Sequence, residues 1–263
     1  MKPEAIIELE GVCVRKSQFP LLRDICLTVA RQEFVGIIGP NGAGKTTLLN
    51  VIAGFEKFSG KLRLFGSSAT WRRARSTRLR LGYVPQLFHI DPSFPIRALE
   101  AVMIGAAGKA GLFRAPGRVE RERAMELMKM MRIDHLAYRP LGHLSGGERR
   151  KISIACALLQ RPEILLLDEP TANLDVAVQR EVLQLIGEIH EREAVTVLFV
   201  THDFNMVPEA MQRAVFMNAG RIVFDGAVRD AWNGVTLSRL FDYPIETFER
   251  EGRRFIAFNG RSY

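Results

Sequence analysis

Eight consecutive residues, Gly39-Pro40-Asn41-Gly42-Ala43-Gly44-Lys45-Thr46, have the types and spacing to hold a phosphate. Glycines let backbone N–H groups curl around phosphate oxygens with no Cβ in the way. Lys45 adds a full positive charge beside the β- and γ-phosphates of a nucleotide, and the Thr46 hydroxyl is a ligand for Mg²⁺. The loop follows an apolar run, Phe34 to Ile38, and leads into a helix-forming run, Thr47 to Ala53. That strand–GxxxxGK[ST]–helix order separates a phosphate-binding loop from a chance glycine-rich turn. The helix start also turns its positive dipole end toward the same phosphates.

Two further groups carry chemistry. Asp168 and Glu169 close the apolar run Ile164 to Leu167. In a phosphate-loop fold, a carboxylate at that strand end reaches the nucleotide's Mg²⁺. The next carboxylate can orient the attacking water or accept its proton. Upstream lies Leu144-Ser145-Gly146-Gly147-Glu148. This reads as a capping box, with Ser145 as N-cap and Glu148 reaching back, opening a helix through Leu159. The two glycines and free N–H groups at that helix start also make an anion site.

The elements that must position these groups read as α/β. Ile6 to Leu9 and Leu21 to Val29 form strands of an N-terminal β layer, which Gly60 to Gly66 closes. Ile164 to Leu167 is a continuous apolar run, as a buried parallel strand requires, and Val195 to Val200 reads as another buried strand. Leu81 to Pro85 is a core strand ending at Gln86, and Val176 to Glu191 is an amphipathic helix. Arg213 to Asn218 and Arg221 to Phe224 flank Ala219-Gly220 as a hairpin. Strands alternating with helices imply a mostly parallel sheet. Between Gln86 and about Gln160 helical patterns dominate, interrupted by a basic, glycine-rich loop from Gly105 to Arg118. Helix Glu120 to Arg132 carries Met125, Met128, Met130 and Met131, which at helical spacing read as packing rather than as a soft-metal site. Trp71 to Arg80, with five arginines, reads as a solvated helical face. From about Ala227 onward a helix and a small tail are expected.

Composition narrows the function classes. Apolar residues make up 47% of 263, enough for a packed core. No stretch approaches the roughly 20 apolar residues that span a bilayer. Cys13, Cys26 and Cys156 lack metal-ligand spacing, and the N-terminus lacks a signal-peptide core, so a reduced, cytosolic setting is expected. The net charge of +8 permits an anionic partner without naming one.

Taken together, these motifs resemble the nucleotide-binding subunit of ATP-binding cassette (ABC) transporters, from about Ile7 to Phe224. The resemblance rests on the Walker A loop at Gly39 to Thr46, a Q-loop glutamine at Gln86 and the signature at Leu144 to Glu148. It continues with Walker B at Ile164 to Asp168, Glu169, a D-loop at Ala172-Asn173-Leu174-Asp175, and a switch histidine at His202. The fold it implies is a P-loop NTPase core with an N-terminal antiparallel β layer and an inserted helical subdomain. Residues 1–85 and 161–226 would form the core and β layer, 86–160 the helical signature subdomain, and 227–263 a C-terminal helix and tail.

The resemblance also implies cofactors and roles. ATP would be held by Gly39, Pro40, Asn41, Gly42, Ala43, Gly44, Lys45, Thr46 and Thr47. Thr46, Gln86 and Asp168 would hold Mg²⁺. Glu169 would be the general base and His202 would contact the γ-phosphate. In a head-to-tail dimer, Ser145, Gly146 and Gly147 of a second copy would close each nucleotide site, and Asp175 would link the two sites. Two departures stand out. Glu148 replaces the usual glutamine, and either completes a capping box. Lys16 stands where an aromatic ring normally stacks on adenine; either Phe19, three residues on, substitutes, or adenine is held weakly or by the Lys16 stem.

The stretch Leu87 to Ile96 and the loop Gly105 to Pro116 look like those of subunits serving importers of zinc, manganese or iron chelates. The implied partners are a membrane permease, a second ATPase subunit and a solute-binding protein acting on the permease, on the inner face of the cell membrane. Phe88 and Phe94 are expected to line a groove for a helix of that permease. His89 and Asp91 are not read as metal ligands, since the cargo would cross the permease. The rival classes are an ABC ATPase of another importer or of an exporter, and a soluble ABC ATPase acting on DNA. The last usually carries long coiled-coil or zinc insertions between Walker A and signature, which are absent here, so no nucleic acid partner is expected.

Overall fold

A computed structural model describes residues 4–70, 75–86, 95–110, 117–241, 243–250 and 253–258. In chain order, β1 (Ala5–Lys16) and β2 (Phe19–Ala30) precede β3 (Phe34–Ile38) and α1 (Lys45–Ala53). Next come β4 (Ser59–Leu64), β5 (Ser67–Ser68), α2 (Arg75–Arg78), β6 (Leu81–Val84), α3 (Ala98–Met103), α4 (Ala107–Ala110) and α5 (Arg118–Met130). The chain continues through α6 (Gly146–Leu159), β7 (Ile164–Asp168), α7 (Val176–Glu193), β8 (Thr196–Thr201), β9 (Arg213–Asn218) and β10 (Arg221–Ala227). It closes with α8 (Val228–Ala231), α9 (Gly234–Phe241), β11 (Ile245–Arg250) and β12 (Arg253–Phe258). The chain divides into two compact units, Met1–Arg73 with Thr196–Tyr263, and Ala74–Val195. Among the described residues no helix is long and apolar enough to cross a membrane.

The first unit holds an antiparallel sheet in the order β2-β1-β4-β5. In β2 the side chains of Leu22, Ile25, Leu27 and Val29 are buried, while Arg23, Asp24, Cys26 and Thr28 face outward. This is the period-2 pattern of a sheet with one solvated face. β1 runs beyond the expected Ile6 to Leu9. An irregularity between Leu9 and Val12 absorbs the polar pair Glu10-Gly11 and returns Val12 and Val14 to the buried face. A tight turn then pairs Lys16 with Phe19. The same unit carries β3 in parallel pairing with both β8 and β9, and β9 antiparallel to β10. All residues of β3 and β8 are buried, which explains why both strands are mainly apolar.

In the second unit β6 and β7 pair in parallel, Tyr83 opposite Leu166 and Val84 opposite Leu167. The helices α3, α5 and α6 belong to this unit, with Leu127, Met128, Met131, Ile152 and Ile154 buried among its core residues. Met128 and Met131 therefore serve packing. Arg80, from the arginine-rich stretch, is not simply solvated: its guanidinium forms a bidentate pair with Glu163. Trp71 to Ala74 lie outside the described residues.

The expected C-terminal helix is present as α9, but the expected tail needs correcting. After α9 the chain forms the hairpin β11–β12, Phe248 opposite Phe255 with stacked rings 5.5 Å apart. Thr247, Phe248, Phe255 and Ile256 are β-formers that a reading as tail passed over. Phe204, Phe216, Trp232 and Phe241 make an edge-to-face aromatic cluster in the same unit.

Candidate nucleotide site

The phosphate loop is built from backbone. Gly39 lies against the carbonyl of Met217 on β9, where a Cβ would collide. Gly44 has φ +98° and its α-carbon faces the carbonyl of Leu21, so a side chain fails there on both counts. Ala43 accepts from the Gly220 amide at 3.1 Å, and Ala43 N–H donates to Pro40 at 3.2 Å. The buried Lys45 ammonium donates to the carbonyls of Gly39 at 2.8 Å and Pro40 at 3.0 Å, so the charge is held over the loop's own rim. α1 opens with no side-chain cap and no acidic residue in its first turn. An anion is thus the natural partner of that helix start. Asn41, Gly42 and Thr46 are exposed, and Pro40, Gly44 and Thr47 partly so.

His202 also belongs to this first unit, exposed just after β8. A turn fixes its position: Asp203 N–H donates to Thr201 Oγ1 at 3.0 Å, and Asn205 N–H to Asp203 Oδ1 at 2.8 Å. The Asn205 amide oxygen in turn accepts from Ile256 N–H of the C-terminal hairpin at 3.2 Å. Phe19 is 76% exposed at the β1–β2 turn, with Lys16 its pairing partner, so a flat aromatic face is available there.

The second unit brings the carboxylates together with groups from other elements. Asp168 and Glu169 are both buried at the end of β7. Glu169 adopts φ +45°, a left-handed conformation that costs energy in a non-glycine residue and clusters at functional sites. Gln86 Nε2 donates to Glu169 Oε2 at 2.9 Å. Tyr83 hydrogen-bonds Asp168, and burial first, then the Asp168 charge, push the phenol far above its ordinary pKa. The phenol therefore stays a donor. Arg150 of α6 donates to the carbonyls of Pro85 at 2.7 Å and Gln86 at 2.6 Å.

The capping box is formed as read. Ser145 Oγ accepts from Glu148 N–H at 3.2 Å, and Glu148 Oε2 from Ser145 N–H at 2.6 Å. Burial would raise the Glu148 carboxyl, but the Ser145 hydrogen bonds, with the Arg139 and His135 charges, hold it below the usual range. Ser145 and Gly146 are exposed, whereas Gly147 is buried. Asp175 starts α7, with Gln179 N–H on its carbonyl at 2.8 Å, and its carboxylate makes no cap bond to its own helix.

Sequence reasoning missed Tyr83 and Arg150. A tyrosine in an otherwise apolar core strand is a signal, because a buried hydroxyl needs a partner. An arginine four and seven residues before the buried Ile154 and Ala157 on one helix is another. Leu87 to Phe94, with Phe88, His89, Asp91 and Phe94, and Gly111 to Pro116 lie outside the described residues.

Residues 22–172 match the family model described as ABC transporter. The chain belongs to that family. As an ABC ATPase it is similar to the manganese transport system ATP-binding protein of Bacillus subtilis, 34% identical over 83% of this chain and 85% of that one. It is similar also to the zinc import ATP-binding protein of Pseudomonas fluorescens, 37% identical over 82% and 74% of the two chains. Among solved structures, a chain of a metal-chelate type ABC transporter in an inward-facing conformation superimposes with TM-score 0.82 at 26% identity, covering 97% of each chain. The fold is thus the α/β ABC ATPase fold with its N-terminal antiparallel sheet, and the chain is an ATP hydrolase coupled to transport.

Proposed function

We infer that this chain powers import of a transition metal or its chelate through a separate membrane permease. The observation that carries the substrate reading is similarity to manganese and zinc import subunits and to a metal-chelate transporter over most of each chain. The catalytic reading is supported within this chain by Gln86 bonded to Glu169 beside Asp168. Gly39 to Thr47 bind the triphosphate of ATP, with Lys45 supplying the charge that loop N–H groups cannot. Glu169 accepts the proton of the attacking water, and His202 contacts the γ-phosphate.

A hydroxyl, a carboxylate and an amide oxygen, from Thr46, Asp168 and Gln86, are hard oxygen donors of the kind Mg²⁺ takes. When bound, that ion neutralises charge developing on the phosphates.

A second copy supplies Ser145, Gly146 and Gly147 to each site, which suits the exposure of Ser145 and Gly146 at the helix start. Asp175 links the two sites. The helical subdomain, 86–160, carries that signature. The complex sits on the inner face of the membrane, with a solute-binding protein acting on the permease. Phe19 stacks on adenine in place of the ring that Lys16 replaces.

The test is uptake. Deleting the gene should lower cellular zinc, manganese or iron accumulation, and an Lys45→Ala copy should not restore it. Unchanged accumulation of all three metals would refute the metal reading and leave the ATPase reading standing.

A further inference from the structure

We propose that Arg150 is a positioning residue that ties Gln86, and through it Glu169, to the signature helix. This deepens the reading above and rests on it. Arg150 is buried in the second turn of α6, whose N-cap is Ser145. Its two terminal nitrogens donate to two successive backbone carbonyls, Pro85 at 2.7 Å and Gln86 at 2.6 Å. The planar fork makes this a two-point clamp, which fixes direction as well as distance. The clamped residue is the one whose side-chain amide holds Glu169 Oε2 at 2.9 Å.

A route of four links therefore runs from the signature to Glu169. Ser145 caps the helix, the helix carries Arg150, Arg150 holds the backbone of Gln86, and the Gln86 side chain holds Glu169. A helix is stiff over these few residues, so anything that draws Ser145 moves the clamp with it. The choice of partners matters. Arg150 bonds main-chain carbonyls and leaves both carboxylates to other work, while its burial beside Asp168 places a positive charge near that acid. Burial lowers the Arg150 pKa and the Asp168 charge opposes that, so the guanidinium remains a cation at working pH. Lysine reaches with a single point charge and cannot repeat the two-point geometry.

The experiment is a double-mutant cycle on ATP hydrolysis by the full chain, with nucleotide affinity and thermal midpoint measured in parallel. Arg150→Met keeps most of the apolar stem without the donors. Its kcat should fall about tenfold, with ATP affinity within about twofold of the parent, because the phosphate loop is untouched. In a Gln86→Ala background the same change should cost almost nothing more, since the route to Glu169 is already cut. Arg150→Lys should recover only part of the loss. Additive losses, or a normal kcat in Arg150→Met, would overturn the proposal. So would loss of folding in both Arg150 variants, which would make the residue structural. Failure of the parent chain to hydrolyse ATP at all would instead refute the ATPase reading, and is thereby distinguished.

Discussion

The phosphate loop and the carboxylate end of β7 are made in opposite ways. The loop is positioned by main chain: carbonyls of Leu21 and Met217 crowd its glycines, and Gly220 bonds Ala43. Its one charged side chain is turned back on its own carbonyls. The carboxylates are met by side chains, Tyr83 of β6 on Asp168 and Gln86 on Glu169, and Arg150 of α6 holds the backbone of Gln86. A cradle of backbone is insensitive to which residues surround it and suits binding that must not vary. A set of side chains can shift by fractions of an ångström, which suits the turnover role proposed for Glu169. Binding and turnover should therefore separate under mutation.

The largest break falls on turnover alone. Glu169→Gln should reduce hydrolysis by about 10² or more while ATP still binds, because the proposed base is lost and the loop is intact. Steady-state phosphate release and equilibrium nucleotide titration read the two effects independently, and wild-type turnover would remove Glu169 from the role. Lys45→Ala should do the reverse. A charged hydrogen-bond donor contributes about 1.5–3 kcal/mol, so ATP affinity should drop by roughly 10- to 100-fold. Equal affinities for the two variants in calorimetry would erase the contrast between the regions.

A smaller effect sharpens the comparison at the adenine end. Base–aromatic stacking contributes about 1–3 kcal/mol, so Phe19→Ala should weaken ATP by roughly tenfold or more. Unchanged affinity would mean that binding here rests on the phosphate loop alone.

The smallest effect is at the signature. Glu148→Ala removes half of the capping box and should cost about 1 kcal/mol in chemical denaturation, with Glu148→Gln close to the parent at neutral pH. Because the folded carboxyl lies below its ordinary value of 4.5, its charge stabilises the fold above that value. That contribution is lost as pH falls through the depressed folded pKa. The parent should therefore lose ground to Glu148→Gln only in acid, and a gap that stayed constant with pH would contradict the assignment.

What could be read from sequence follows the same division. The loop declares itself locally, because glycine placement and a lysine are enough to specify backbone geometry. β3, β7 and β8 declare themselves because burial on two faces leaves their interiors apolar, with polar residues only at the ends, Asp168 of β7 and Thr196 and Thr201 of β8. The candidate residues at strand ends and helix starts, Gln86, Asp168, Glu169, Ser145 and His202, were legible as positions. Their mutual contacts were not. Gln86 and Glu169 are far apart in sequence, and only the parallel pairing of β6 with β7 brings their strand ends side by side. The clamp of Arg150 was hidden for the same reason. The length of β1 was missed because Glu10-Gly11 interrupts its alternation, and the terminal hairpin because charged residues dilute its β-formers.

The docking of Gly220 onto Ala43 bears on how the molecule is made. Gly220 also accepts from Arg23 N–H at 2.8 Å, so residues near the start of the chain wait for one near its end. Ribosomes add roughly 5–20 residues per second, so Lys45 emerges on the order of ten seconds or more before Gly220 does. Throughout that interval the loop lacks the β9–β10 turn that fixes it. A nascent chain therefore gains its grip on nucleotide late and all at once, and the order of synthesis is not the order of assembly.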